Sequence, residues 1–320
     1  MKLEVKNKEI LTGHRGSIYS LCAGKKASIL YSTDGNGWVV QWDLTDTTQA
    51  KVIAQVPSNV FALCLLPQRN YLALGSMQGI LYFIDLKNHQ VVAPTLQLGK
   101  AIYALKVVGN QLWIGDGTGT LSMLDIKTMQ LSKSESISDK NIRAIDFNAK
   151  TNQLAIGTSD SQTYLLDKDN WKVEQQLAFH KNSVFSATFV KNGEWLVTGA
   201  RDAHLAIWHQ EQQPIVGVEA VQNKPTFVLH HTIPAHLFTI NHIVESPNKR
   251  LWATASRDKS IKIWDAQTFV LLKVIDPLKA DLQAHSHSVN RLLWLEEPNR
   301  LLSASDDRTI RMWTIQEISS

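Results

Sequence analysis

The chain has 320 residues, of which 44% are hydrophobic and 19% charged, a globular composition that excludes wholesale disorder. Its net charge of +4 is too small to indicate nucleic acid by itself, and no apolar run approaches the roughly 18 residues of a spanning helix. The length exceeds that of one ordinary hydrophobic core, so a single domain requires an architecture that divides its core into repeated parts.

In chain order, the opening MKLEVKNKEIL breaks its apolar positions with charges and does not read as a secretory signal. Residues 3–11 alternate as a strand. A first unit runs from His14 to Trp42-Asp43, with Ser32 as a hydroxyl residue ten positions before the Trp. Asn36 stands where later units carry an Asp. Three weaker units end at Ile84-Asp85, Leu124-Asp125 and Leu166-Asp167. In a fifth, His180 to Trp208, apolar runs at Val184–Phe189, Trp195–Thr198 and His204–Trp208 are split by Asn192-Gly193 and Arg201-Asp202. Short β-branched and aromatic runs bounded by such turns read as antiparallel strands joined by hairpins. Further copies span His236–Trp264 and His285–Trp313. The units end at 42, 84, 124, 166, 208, 264 and 313, and a period of about 40–45 residues with several strands per unit marks a propeller blade.

Across its whole length the chain resembles WD-repeat (WD-40) β-propellers. The resemblance implies an all-β fold, a seven-bladed β-propeller of four-stranded antiparallel sheets in one domain over 1–320. The blades fall at about 13–55, 56–97, 98–137, 138–178, 179–234, 235–283 and 284–320, the last completed by the strand within 1–12, which closes the ring. It also implies hydrogen-bonded tetrads of His, Ser/Thr, Asp and Trp. These are His180, Thr198, Asp202 and Trp208 in blade five; His236, Thr254, Asp258 and Trp264 in blade six; and His285, Ser303, Asp307 and Trp313 in blade seven. Blades two to four lose the set together: Val56, Leu98 and Ser138 replace the His, Leu74, Ile114 and Ile156 the hydroxyl, and Ile84, Leu124 and Leu166 the Trp. Wholesale replacement of a polar network by apolar groups can be nearly neutral, whereas partial replacement is costly. Asp160 in blade four is then expected to be a turn residue only.

No GxSxG, HExxH or P-loop occurs. The GDGTG at 115–119 joins two strands and does not open a helix. Four histidines belong to tetrads or their first-blade equivalent, and His230-His231 on an outer strand should point to opposite faces, a poor ligand geometry. No metal, cofactor or catalytic set is expected. Cys22 and Cys64 sit at matching positions of the first two blades; two cysteines make no disulfide framework and favour an intracellular, cytoplasmic setting. Insertions at 209–225, before an outer strand expected at 226–231, and at 276–284 lengthen loops, where function concentrates more than in framework.

Residues after the first apolar anchor of each inner strand should ring the channel mouth: Tyr19, Phe61, Tyr103, Arg143, Phe185, Asn241 and Asn290. A second ring precedes the turn Asp position and includes Arg201, Arg257 and Asp306. Aromatics and arginines together are the composition of interface hot spots, and three guanidiniums, Arg143, Arg201 and Arg257, could engage an acidic group. The expected function is a non-catalytic, monomeric scaffold. It would dock a protein or peptide partner bearing an acidic group beside an apolar anchor, away from membranes. The alternatives are a propeller enzyme of the hydrolase or lactonase type, which needs an axial site, and a nucleic-acid-associated propeller, which the modest charge disfavours.

Overall fold

The computed structural model describes residues 2–211, 225–278, 282–296 and 300–318. They form seven four-stranded antiparallel sheets arranged as blades in a ring. Within blades one to six the strands follow chain order from the channel outward, as in Ile240–Glu245, Leu251–Ser256, Ile261–Asp265 and Leu271–Ile275. In the seventh, Val289–Leu295, Arg300–Ser305 and Thr309–Ile318 are joined at the outside by the N-terminal strand Lys2–Thr12, which pairs antiparallel with Thr309–Ile318. Closure leaves no blade with an unpaired radial neighbour, which removes the open edges of a linear array. No helix among the described residues is long and apolar enough to cross a membrane.

Burial follows radial position. Second strands such as Leu251–Ser256 are buried at every residue, because both faces pack against neighbouring blades and the sequence therefore runs apolar without alternation. Outer strands such as Gln130–Ser136 are mostly exposed. Blade-to-blade spacing is tight enough that Gly75, Gly115, Gly157 and Gly199 recur in the second strands of blades two to five. A Cβ at any of them would press on the first apolar residue of the next inner strand, Ile102, Ile142, Val184 or Ile240, which explains glycine in strand interiors.

Each inner strand carries a β-bulge directly after its first residue, between Ile18 and Ser20, Val60 and Ala62, and at the matching place in the other five. The extra residue in each bulge is Tyr19, Phe61, Tyr103, Arg143, Phe185, Asn241 or Asn290. Bulges re-aim side chains, and here they set the first ring at the channel mouth.

The outer strand of blade five is Thr226–Pro234, longer than the expected 226–231. The 212–224 part of the preceding insertion, and 279–281 of the later one, lie outside the described residues. His230 does not simply alternate with His231, because the register shifts between Ile207 and Trp208 on the paired strand. Its ring instead packs 4.9 Å from Trp195 and 6.1 Å from Phe269.

Candidate functional site: the upper face and channel mouth

The loops that lead into the inner strands carry the histidines. In blade six, His236 Nδ1 lies 2.9 Å from Asp258 and Nε2 2.7 Å from Thr254 Oγ1, which also accepts from Trp264 Nε1 at 3.1 Å. Blade seven repeats this with His285, Asp307, Ser303 and Trp313, all at 2.8 Å. In blade five, His180 is 3.2 Å from Asp202 and 2.8 Å from Thr198, and Trp208 donates to Thr198 at 3.1 Å. One tautomer satisfies every group: Nδ1–H donates to the carboxylate and the hydroxyl donates to Nε2. The backbone N–H after each His (Lys181, Leu237, Ser286) donates to the same carboxylate.

Burial works to raise the Asp202 carboxyl, but the His180 hydrogen bond, the Lys181 N–H and the His180 charge outweigh it and bring it to about 2. Asp258 and Asp307 are held low in the same way by His236 and His285. Burial in turn depresses His236 and His285, against the opposing pull of their carboxylates. The hydroxyls of Thr198, Thr254 and Ser303 are fully buried and capped by an indole N–H. They are joints of the framework, with no approach for a substrate.

Two expectations are corrected. Blade one holds a complete tetrad: His14 binds Asp34 at 2.9 Å and Ser32 at 2.6 Å, and Trp42 donates to Ser32 at 2.8 Å. The carboxylate comes from two residues after the hydroxyl instead of four, so Asn36 is not its counterpart. Nor is Asp160 in blade four a turn residue only. It accepts from Ser138 Oγ at 2.6 Å, from Tyr164 Oη at 2.8 Å, from the Gln162 N–H and from Thr158 Oγ1. Blade four thus builds a different polar network around the same carboxylate, with Ser138 in the His place and Tyr164 supplying a hydroxyl from the third strand.

The bulge residues divide into two groups. Tyr19, Phe61, Tyr103, Arg143 and Phe185 form a continuous stack across blades one to five. Ring centroids are 5.1 Å apart for Tyr19–Phe61 and 5.4 Å for Phe61–Tyr103. The Arg143 guanidinium lies 4.0 Å from the Tyr103 ring and 5.0 Å from Phe185. Burial lowers the pKa of Arg143 against the counter-pull of Tyr103; its Nε donates to Ser159. Arg143 therefore belongs to the aromatic arc and not to a separate arc with Arg201 and Arg257. Asn241 and Asn290 are committed to neighbouring blades: Asn241 donates to Val289 O at 2.8 Å, and Asn290 to Ile18 O at 3.0 Å and to Asp306 at 2.7 Å. These three, Asn241, Asn290 and Asp306, staple blades six, seven and one together.

The second ring is fixed by a recurring bond from the turn N–H to the leading loop, as in Arg201 N to Ser183 O, Arg257 N to Thr239 O and Asp306 N to Ser288 O, each 2.9–3.0 Å. Arg201 and Arg257 are exposed, and neither guanidinium has a hydrogen bond or ion pair among the described residues. Between them the blade-six leading loop presents Leu237, 83% exposed, and Phe238, 57% exposed. Sequence reasoning missed this pair. Its signal was present, because the corresponding residues after the tetrad His are Arg15-Gly16, Lys181-Asn182 and Ser286-His287 in the other blades.

The family model described as WD domain, G-beta repeat matches residues 171–209, 227–265 and 276–314. The chain is similar to periodic tryptophan protein 2 of Arabidopsis thaliana, 23% identical over 173 residues, covering 54% of this chain and 17% of that protein. Against protein hir1 of Schizosaccharomyces pombe the identity is 26% over 148 residues, covering 45% and 15%. Against nuclear distribution protein PAC1 of Arthroderma benhamiae it is 28% over 178 residues, covering 54% and 36%. The matches thus span about a sixth to a third of these relatives' own lengths. Seven closed blades, four His–hydroxyl–Trp joints and three matched repeats place the chain in the WD-repeat family of seven-bladed β-propellers.

Proposed function

We propose that the protein is a non-catalytic docking scaffold whose upper face, at blades five and six, captures a protein segment with an acidic group beside an apolar anchor. The observation that carries this reading is the exposed Leu237–Phe238 pair flanked by the guanidiniums of Arg201 and Arg257, which have no partner among the described residues. Exposed large apolar side chains rimmed by charge mark interaction sites, and the guanidinium fork suits carboxylates. Interaction through the propeller is also the general role of the related WD-repeat proteins. The cysteines are free, and the reading includes a reducing, cytoplasmic setting.

The experiment is quantitative affinity purification from native cells with four baits: wild type, Leu237→Ser/Phe238→Ser, Arg201→Glu/Arg257→Glu, and a lower-face control, Lys249→Glu/Arg250→Glu. Partners recovered by wild type and control should drop at least about thirty-fold with each upper-face bait, the equivalent of one interface hot spot. Equal recovery by all four would sink the reading.

A further inference from the structure

An inner strand has a hydrogen-bonded neighbour on one side only, so its other edge turns toward the channel. Side chains of the preceding blade satisfy part of that edge. Ser186 Oγ accepts from Ile243 N–H at 3.0 Å, His242 Nδ1 accepts from Leu292 N–H at 3.3 Å, and Asp146 accepts from Phe189 N–H at 2.8 Å. Thr188 Oγ1 donates to Ile243 O at 3.2 Å. The position of Ser186 and His242, two residues after the anchor, is Arg291 in blade seven. A guanidinium can only donate, so it cannot serve blade one as its counterparts serve theirs. Among the described residues no carboxylate pairs with it and no acceptor receives its hydrogens.

In blades two, three and four the same position is Ala62, Ala104 and Ala144. No side chain at that position reaches the next inner strand, and the repeat's register turns the N–H groups of Leu105, Ile145 and Ala187 toward the space thus left. All of these residues line one cavity of about 220 Å³, together with Lys106, Asp146, His242 and Arg291, with Tyr103, Arg143 and Phe185 at its upper end. The charges do not balance. Lys106 is paired with Asp146 at 2.6 Å, the one carboxylate in the lining among the described residues. Burial drives His242 to its neutral form, helped by the charges of Arg291 and Lys106. Arg143 is held by Ser159 and by the Tyr103 and Phe185 rings; Arg291 remains an uncompensated cation among the described residues, and an enclosed cation without a partner is costly.

We propose that this channel is an anion site, in which a small free oxyanion of the phosphate or sulfate class binds the Arg291 guanidinium with support from Lys106 and the inward N–H groups. The fork of an arginine matches two oxygens of such an ion. The cavity has room for the ion and a few waters, each occupying about 30 Å³. A carboxylate on a docked partner would offer related chemistry. It would have to pass the Tyr103–Arg143–Phe185 stack, which favours the free ion. The proposal does not depend on the docking surface at blades five and six.

Thermal unfolding of the full chain tests it, in chloride against inorganic phosphate at equal ionic strength and pH 7.5, with acetate as a third arm. The variants are Arg291→Met and, as a charge-matched control, the exposed Arg308→Met. Wild type and Arg308→Met should gain midpoint temperature with the logarithm of phosphate concentration once it exceeds the dissociation constant, and Arg291→Met should not respond. In chloride Arg291→Met should unfold no earlier than wild type, since it removes an unpartnered cation. If Arg291→Met does not fold, Arg291→Lys replaces it and should bind phosphate about ten-fold more weakly than wild type, having lost the two-point fork. Equilibrium dialysis should find one phosphate per wild-type chain. No phosphate response in wild type, an equal response in Arg291→Met, or a response to acetate but not phosphate would each overturn the proposal.

Discussion

Blades two and six solve one structural problem in opposite ways. In blade six the space between leading loop and third strand holds His236, Thr254, Asp258 and Trp264, all hydrogen-bonded. In blade two the same space holds Val56, Leu74 and Ile84, each buried in a single apolar cluster. Both sheets have the same strand order and the same inner bulge. The fold therefore requires that this space be filled consistently, with either a saturated polar network or none. Buried polar groups cost free energy when orphaned and little when complete.

The largest expected effect comes from breaking the network halfway. Asp258→Ala removes the acceptor of a buried imidazole and of the Leu237 N–H and should cost about 3 kcal/mol in urea denaturation. A loss below about 1 kcal/mol would mean that the tetrad is decoration. The reciprocal change is somewhat milder: Leu74→Thr puts blade six's hydroxyl into blade two, where neither imidazole nor indole waits for it, and should cost about 2 kcal/mol by the same measurement. Stability equal to wild type would show that the apolar version tolerates partial conversion.

The gentlest probe is acid. Asp202, Asp258 and Asp307 are depressed in the folded state, so the folded protein binds fewer protons there than the unfolded chain. Their contribution is present above the ordinary carboxylate value near 4 and fades as pH falls toward about 2 for Asp202. The depressed His236 and His285 act in the same direction, beginning below about 6.5. Hydrogen exchange, corrected for intrinsic rates, should show amides of blades six and seven losing protection before those of blades two and three as pH drops from 7 to 4, with blade five following below about 4. Simultaneous loss would remove the proposed difference between the two kinds of blade.

The periodicity was legible because the Asp-to-Trp spacing of six residues recurs in three blades, and seven unit ends follow one another at similar intervals. The same fixed spacing hid Asp34, whose carboxylate reaches His14 from a position two residues earlier in the turn. Blade four was misread because its network uses Tyr164, a residue type outside the motif, to meet Asp160. The bulge residues are legible as a ring from position alone, yet their separation into a stacked arc and a stapled arc is not. Asn290 and Ile18, 272 residues apart in the chain, touch only once the ring exists, and local pattern carries no record of such a contact. Leu237–Phe238 was readable but lay in the shadow of His236.

The pairing of Lys2–Thr12 with Thr309–Ile318 bears on how the molecule comes into being. It joins segments some three hundred positions apart, and closing so long a loop slows assembly far more than it weakens the product. On a translating ribosome six sheets can assemble while the seventh still waits for its last strand. Until that strand emerges, Lys2–Thr12 has no partner, and the nascent chain exposes two raw flanks that chaperones or a neighbouring copy could seize.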